Sequence, residues 1–319
     1  MSRSPCPPQS ATSIGRAAFY SCQSLTSIAL PNGITSIGRS AFCDCRSLRS
    51  VALPASLTSI GLGAFVNCQY LTSITLPDGI TSIEGTFHNC YSLRSVALPA
   101  SLTSIGDSAF SSCHSLRSVT LPDSLASIDE HAFADSALLS IHLPASLTSI
   151  GDYAFSNCRS LTSITLPNGI TSIGKATFGR CRSLRSVALP ANLTSIRPGA
   201  FRGCRSLRSV ALPDSLTSIG ANAFRNCRAL LSVALPASLA SIGRAAFRNC
   251  QSLALISLPD GCAIGREAFV GTSRCQARTD PARGCSSPDA HRTRLGLQPC
   301  TTYDGEDDDC YEVVLGSYS

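Results

Sequence analysis

Leu48-Arg-Ser-Val51-Ala-Leu53-Pro54-Ala-Ser-Leu57-Thr-Ser-Ile60-Gly-Leu-Gly-Ala64-Phe65-Val-Asn-Cys68 is one copy of a pattern that runs through most of the 319 residues. All twelve Phe fall in one column, Phe19, Phe42, Phe65, Phe87, Phe110, Phe133, Phe155, Phe178, Phe201, Phe224, Phe247 and Phe269, spaced by 23 residues eight times and 22 three times. Leu-Pro recurs eleven times, from Leu30-Pro31 to Leu258-Pro259, and Cys stands three residues after Phe in ten units. A period in the twenties with this patterning means a solenoid, not a pair of globular domains.

The unit from Leu25 to Arg46 reads as follows. Leu25-Thr-Ser-Ile28-Ala-Leu30 is a short strand closed by the turn signal Pro31-Asn32-Gly33. Ile34-Thr-Ser-Ile37 is a second extended piece, Gly38 breaks it, and Arg39-Ser-Ala-Phe42 fits one helical turn. Where Asp follows the Gly, as at Asp107 and Asp152, its carboxylate suits the start of such a turn. Each unit brings only about seven apolar side chains, worth roughly 2 kcal/mol apiece. Ordering the backbone costs about 1 kcal/mol or more for every residue. A lone unit therefore does not fold, and neighbouring coils must supply hydrogen bonds and cover one another's core faces.

Composition agrees with a folded, non-membrane-spanning chain: 44% apolar, 14% charged, net charge +6. No apolar run is long enough to span a bilayer as a helix. The opening residues hold no apolar segment of a secretory signal. Three parts are expected: a short segment 1–11, the solenoid over 12–271, and a Cys-containing tail over 272–319.

The string L-x-x-I-x-L-P-x-x-[IL]-x-x-I-x-x-x-A-F-x-x-C resembles the leucine-rich repeats of the BspA-like, or Treponema pallidum type, surface proteins. The resemblance spans about 12–271. It implies an α/β repeat solenoid: a right-handed horseshoe with a parallel β-sheet on the concave side and short helical or extended turns on the convex side. It also implies a non-catalytic protein–protein interaction scaffold, and similar proteins are often at the cell surface. Three departures stand out. The Asn or Cys that follows the strand in the common leucine-rich pattern is here Gly or Ser, so the Ser before each second-piece Ile (Ser36, Ser59, Ser82) is expected to bond between coils. A secretion signal is missing, and the chain opens inside a repeat, which points to a truncated gene or a domain of a larger protein. A fragment of a larger receptor or enzyme is thus a further alternative.

Units of the form LTSITLPNGITSI alternate with LRSVALPASLTSI at 25–60, 71–105 and 161–196, as expected from duplication of a two-repeat block. The residue before the strand Ile or Val is Ser in ten units, and the one after it is mostly Ala or Thr, with His142 the exception. Arg49, Arg94, Arg117, Arg185 and Arg208, at the second position of the strand, are the candidate anchors for a protein partner, because Arg is a common hot-spot residue. Between 175 and 248 lie twelve Lys or Arg and one acid, Asp214. Arg182, Arg185, Arg205, Arg208, Arg225 and Arg228 should stack into bands there. Such bands could bind a polyanion or serve adhesion, or could simply be solvated.

The Cys column lacks the close spacing of a metal site, and its side chains point the same way, which argues for buried packing thiols over disulfides. No cofactor motif, nucleic-acid motif or catalytic constellation is found. His88, His114, His131, His142 and His291 share no column, and Asp129-Glu130-His131 reads as a polar corner. Asn192-Leu-Thr194 is a glycosylation sequon, relevant to a secreted chain. In the tail, 276–298 reads as weakly ordered, Cys275, Cys285, Cys300 and Cys310 could form two disulfides, Glu306–Asp309 is an acidic run and Tyr311–Leu315 a possible strand.

Overall fold

The structure, a computed structural model, describes residues 11–254 and 256–273. The expectations for the tail, from Cys275 to the acidic run and Tyr311–Leu315, lie outside the described residues, as do residues 1–10.

The chain winds as about eleven stacked turns of a solenoid. Most turns carry two short strands, and every strand pairing is parallel and in register with the equivalent residue one period away, Ser27 with Ser50 and Ile37 with Ile60. The inward residue of each strand is the repeating Ile or Val. The flanking Ser, Ala and Thr face outward, as a period of two requires.

The second strands form runs of three, four and five members: Ser13–Ile14 to Ser59–Ile60, Ser82–Ile83 to Ser149–Ile150, and Ser172–Ile173 to Ala263–Ile264. The first strands instead pair two by two, Ser27–Ala29 with Ser50–Ala52, Ser73–Thr75 with Ser95–Ala97, Ser163–Thr165 with Ser186–Ala188, and Ser209–Ala211 with Ser232–Ala234. The first three of these pairs are the three duplicated blocks of the sequence. Within a block, the Arg49, Arg94 and Arg185 N–H groups reach the preceding coil's carbonyl at 2.8, 2.9 and 2.8 Å. Across block boundaries, the Thr72, Thr162 and Arg208 bonds lengthen to 3.4, 3.2 and 3.2 Å.

No helix occurs among the described residues, so the α/β assignment and the helical turn expected at Arg39–Phe42 are corrected. The reason is backbone geometry. Ser40 (φ 55°) and Asp44 (φ 60°) are left-handed, and the same two positions are left-handed in unit after unit, as at His131 and Asp135 (54° and 59°) or Asn222 and Asn226 (56° and 63°). A right-handed helix tolerates no such residue. The N–H groups alternate in direction. Those of Ser40, Phe42 and Asp44 donate to Leu62, Ala64 and Val66 of the next coil at 3.0, 2.8 and 2.9 Å. Those of Ala41, Cys43 and Cys45 close tight turns onto Gly38, Ser40 and Phe42 at 3.2, 3.1 and 3.2 Å. A helix would aim every N–H into its own coil and leave the next coil unbonded.

The core is one continuous spine. The twelve Phe rings stack from Phe19 to Phe269 with successive centroids 4.9 to 5.8 Å apart and planes within 15°. Ile, Leu, Ala and Cys columns line it. At Gly61 and Gly243, just after the second strand, coils approach closely: a Cβ on Gly61 would lie 2.5 Å from the Arg39 nitrogen, and one on Gly243 2.4 Å from that of Ala221.

These contacts set two stability outcomes. Phe133→Ala, in mid-stack, should lower unfolding free energy by about 3–5 kcal/mol, and Gly243→Ala by about 1–3 kcal/mol through forced separation of coils. Urea unfolding followed by circular dichroism measures both. A Gly243→Ala chain with the wild-type midpoint would refute the close-approach argument.

Candidate functional site

Most recurring polar side chains are occupied in joining coils. Nine column thiols, Cys45 to Cys250, are buried, and each donates to the carbonyl of the preceding coil's Phe at 3.0–3.3 Å. The expected packing role thus includes a hydrogen bond. One residue before Cys runs a ladder that sequence reasoning missed. Asn67 Nδ2 donates to Asp44 Oδ1 at 3.1 Å, Asn89 to Asn67 at 2.9 Å and Asn249 to Asn226 at 3.1 Å, and Asn157 donates to Asp135. These are the left-handed positions, and Asn and Asp suit both demands at once. The signal was present in the recurrent Asn-Cys dipeptide.

The expectation for the Ser36, Ser59 and Ser82 column is met at one step only. In that column Ser195 bonds Ser172 at 2.8 Å, and no member bonds the neighbouring coil's backbone among the described residues. Two neighbouring columns serve instead. Thr35, Thr58 and Thr194 hydroxyls donate to Thr12, Thr35 and Thr171 carbonyls at 3.1, 3.1 and 3.0 Å. Ser56, Ser124 and Ser238 donate to Ile34, Leu102 and Leu216 at 2.8, 2.7 and 2.8 Å. Asp107 and Asp152 accept from the next coil's Glu130 and Lys175 N–H groups, at 3.0 and 2.7 Å, and not from their own turn.

Arg49, Arg94, Arg117, Arg185 and Arg208 are exposed in one strand-side column, and Arg182, Arg205 and Arg228 are exposed in a second column three residues earlier. Arg225 is not with them. It follows Phe224 on the turn side with Arg202 and Arg248, half-buried. His142 is exposed, one residue after the buried Ile141 of its coil. The bands are therefore two surfaces, not one.

The first coils hold a cluster of mixed chemistry. The Arg49 guanidinium lies 5.8 Å from the centre of the exposed Tyr70 ring. Tyr91 stacks on His114 with centroids 5.0 Å apart, in the coils that carry Arg94 and Arg117. Tyr70 and Tyr91 are 55% and 37% exposed, unusual for rings in a chain whose Phe are all inside. They sit one or two residues after Cys, so their placement beside the Arg column could have been read from the repeat register.

Other features form no converging site. Asp129, its carboxyl pushed up by burial and by Asp107 against a Ser127 hydrogen bond, adjoins Glu130 and His131, and the His131 ring stacks on Tyr153 at 4.8 Å. His88 is buried with neither ring nitrogen bonded, and burial, then His131, pushes its pKa down. A shallow trough of about 500 Å³ follows Ser195, Ser218 and Ser241 past Gly220 and Gly243, and its one cation, Arg197, is paired with Asp152 at 2.9 Å. Among the described residues no three His, Cys, Asp or Glu side chains converge as a metal set, and no helix is long and apolar enough to cross a membrane.

The model of the BspA type leucine-rich repeat region matches in six copies over residues 6–86, 84–204 and 171–279. A leucine-rich repeat protein from Bacteroides ovatus is 33% identical, with 82% of this chain and 80% of that one covered and a TM-score of 0.64. One from Eubacterium ventriosum is 25% identical, covers 86% and 83%, and has a TM-score of 0.61. The pneumococcal vaccine antigen PcpA shares the fold at 18% identity, with 80% and 79% covered and a TM-score of 0.53. No match is found among the curated proteins.

Burial governs thiol chemistry. It pushes Cys45 and Cys158 from 9.0 up to about 12. These groups favour the fold below about pH 9, and that contribution is lost as pH rises toward 12, because the unfolded chain ionises first. Urea midpoints should fall between pH 8 and 11. Site-resolved alkylation of the folded chain at pH 8 should label exposed Cys22 and spare Cys68 to Cys250. Equal labelling of Cys22 and Cys113 would contradict the buried column.

Proposed function

The chain belongs to the BspA-type leucine-rich repeat family, and from that membership we propose that it is a non-catalytic scaffold that binds a protein partner. The observation that carries the reading is the exposed cluster of Arg49, Tyr70, Tyr91, Arg94, His114 and Arg117 on rigidly stacked coils. Tyr and Arg are the side chains that most often anchor protein interfaces. A Tyr ring offers large area with few rotamers, and a guanidinium poised over a ring holds part of its final geometry before contact.

Recognition follows from preorganisation. Coil-to-coil hydrogen bonds hold the backbone under the cluster, so binding orders side chains only and loses little entropy. We take the first-strand side as the inner, concave face of a horseshoe, the binding side suggested by resemblance. A cell-surface setting rests on the same resemblance. His142, two coils beyond Tyr91, lies at the edge of this surface. The non-catalytic reading is supported by the use made of polar columns: the Cys, Asn and Thr that could serve chemistry are committed to carbonyls and to one another.

Cross-linking and quantitative mass spectrometry in cells that express the full chain provide the test. At least one protein should be enriched with the wild type and drop by about tenfold, the loss expected of hot-spot removal, in an Arg49→Ser/Tyr70→Ala/Tyr91→Ala variant. The same protein should be retained by Arg185→Ser/Arg208→Ser. Enrichment that is identical for both variants, or the absence of any enriched protein, overturns the proposal.

A further inference from the structure

We propose that the exposed arginines of the later coils form a docking ladder for a sulfated polysaccharide. Arg159, Arg182, Arg205 and Arg228 each follow the column Cys in four successive coils. The Phe rings of those coils stack at 5.6, 5.4 and 5.3 Å, which sets the rung spacing of the whole coil. Arg185 and Arg208 form a second row three residues on, and their coils are joined by the Arg208 N–H to the Arg185 carbonyl at 3.2 Å. The result is a plaque of six guanidinium groups, all exposed.

Four members of the plaque carry no countercharge. Arg185, Arg205, Arg208 and Arg228 enter no side-chain hydrogen bond or ion pair among the described residues, whereas Arg197, Arg244 and Arg248, elsewhere on the same coils, pair with carboxylates at 2.9, 3.8 and 2.7 Å. Like charges a rung apart, held by a backbone that cannot spread, attract a multivalent anion, which displaces many small counterions at once.

The surroundings choose among anions. No aromatic ring occurs in these two Arg columns over 159–231 or in the residues between them, so the stacking platform that single-stranded nucleic acid needs is missing. The Tyr anchors of a protein interface are missing there as well. Ser186 and Ser209 instead stand exposed beside each strand Arg. Guanidinium forks take sulfate oxygens in pairs and Ser hydroxyls take sugar hydroxyls, which together match a sulfated glycan. This site shares no residue with the Tyr–Arg cluster and does not depend on the protein-partner reading.

Calorimetric titration of the full chain with a heparin oligosaccharide tests the proposal, with the desulfated oligosaccharide, poly-glutamate and duplex DNA in parallel. Heparin should bind, with affinity falling by about tenfold or more between about 50 and about 200 mM salt. Desulfated material should not bind. Arg185→Ser/Arg208→Ser should weaken heparin binding by about tenfold, while Arg94→Ser/Arg117→Ser stays within about twofold, since only the former removes plaque charge. All of these residues are exposed, and unchanged thermal melting confirms that each variant folds. The proposal fails if heparin does not bind, or if both variants lose equally. It also fails if DNA binds as tightly, which assigns the ladder to nucleic acid, or if poly-glutamate does, which assigns it to an acidic protein. Binding that shows only after Glu306–Asp309 is neutralised gives the ladder to that acidic run instead.

Discussion

The in-register stacking of one benzyl ring on the next sets the spacing that every other contact obeys. With centroids 4.9 to 5.8 Å apart, the Phe column lies close to the separation that parallel strands need for hydrogen bonding. Core packing and backbone bonding are thereby satisfied by one translation. A repeat with a smaller residue at that position would satisfy one and strain the other. The same translation brings the coils so near at Gly61 and Gly243 that a methyl group has no room.

From that spacing follows a division of labour around the coil. Columns that face the neighbour above or below are fully engaged: thiols on Phe carbonyls, Asn on Asn, Thr and Ser on the carbonyls of the preceding turn. Such side chains are held because a buried polar group without a partner is costly. Columns that face water are under no such constraint, and there the chain varies: Tyr and Arg early, Arg alone later. Two surfaces of different chemistry are carried on one regular frame, and rigidity gained in the first kind of column is what makes the second kind useful for recognition.

Much of this was legible before any coordinates. The Phe, Leu-Pro and Cys columns identify the solenoid, its period and its core residues. Other features were not legible. Gly38-Arg-Ser-Ala-Phe42 has the local composition of a helical turn, and only the demand that alternate N–H groups serve the next coil turns Ser40 and Asp44 left-handed. Ser36 and Thr35 are neighbours of similar chemistry. Which hydroxyl reaches a carbonyl depends on a neighbour one full period away in the chain. Arg225 shares its spacing with Arg228, yet three residues along a coil carry it to a different side.

The sequence by itself determined that the chain coils, with what period, and which side chains lie inside, because burial of a repeated apolar residue in a stack has one solution whatever its neighbours do. Only the tertiary structure decided how each turn is bonded and which polar residues are consumed or left free. Those outcomes depend on groups one full period apart in the chain but about 5 Å apart in space, a proximity that exists only once the coils have stacked.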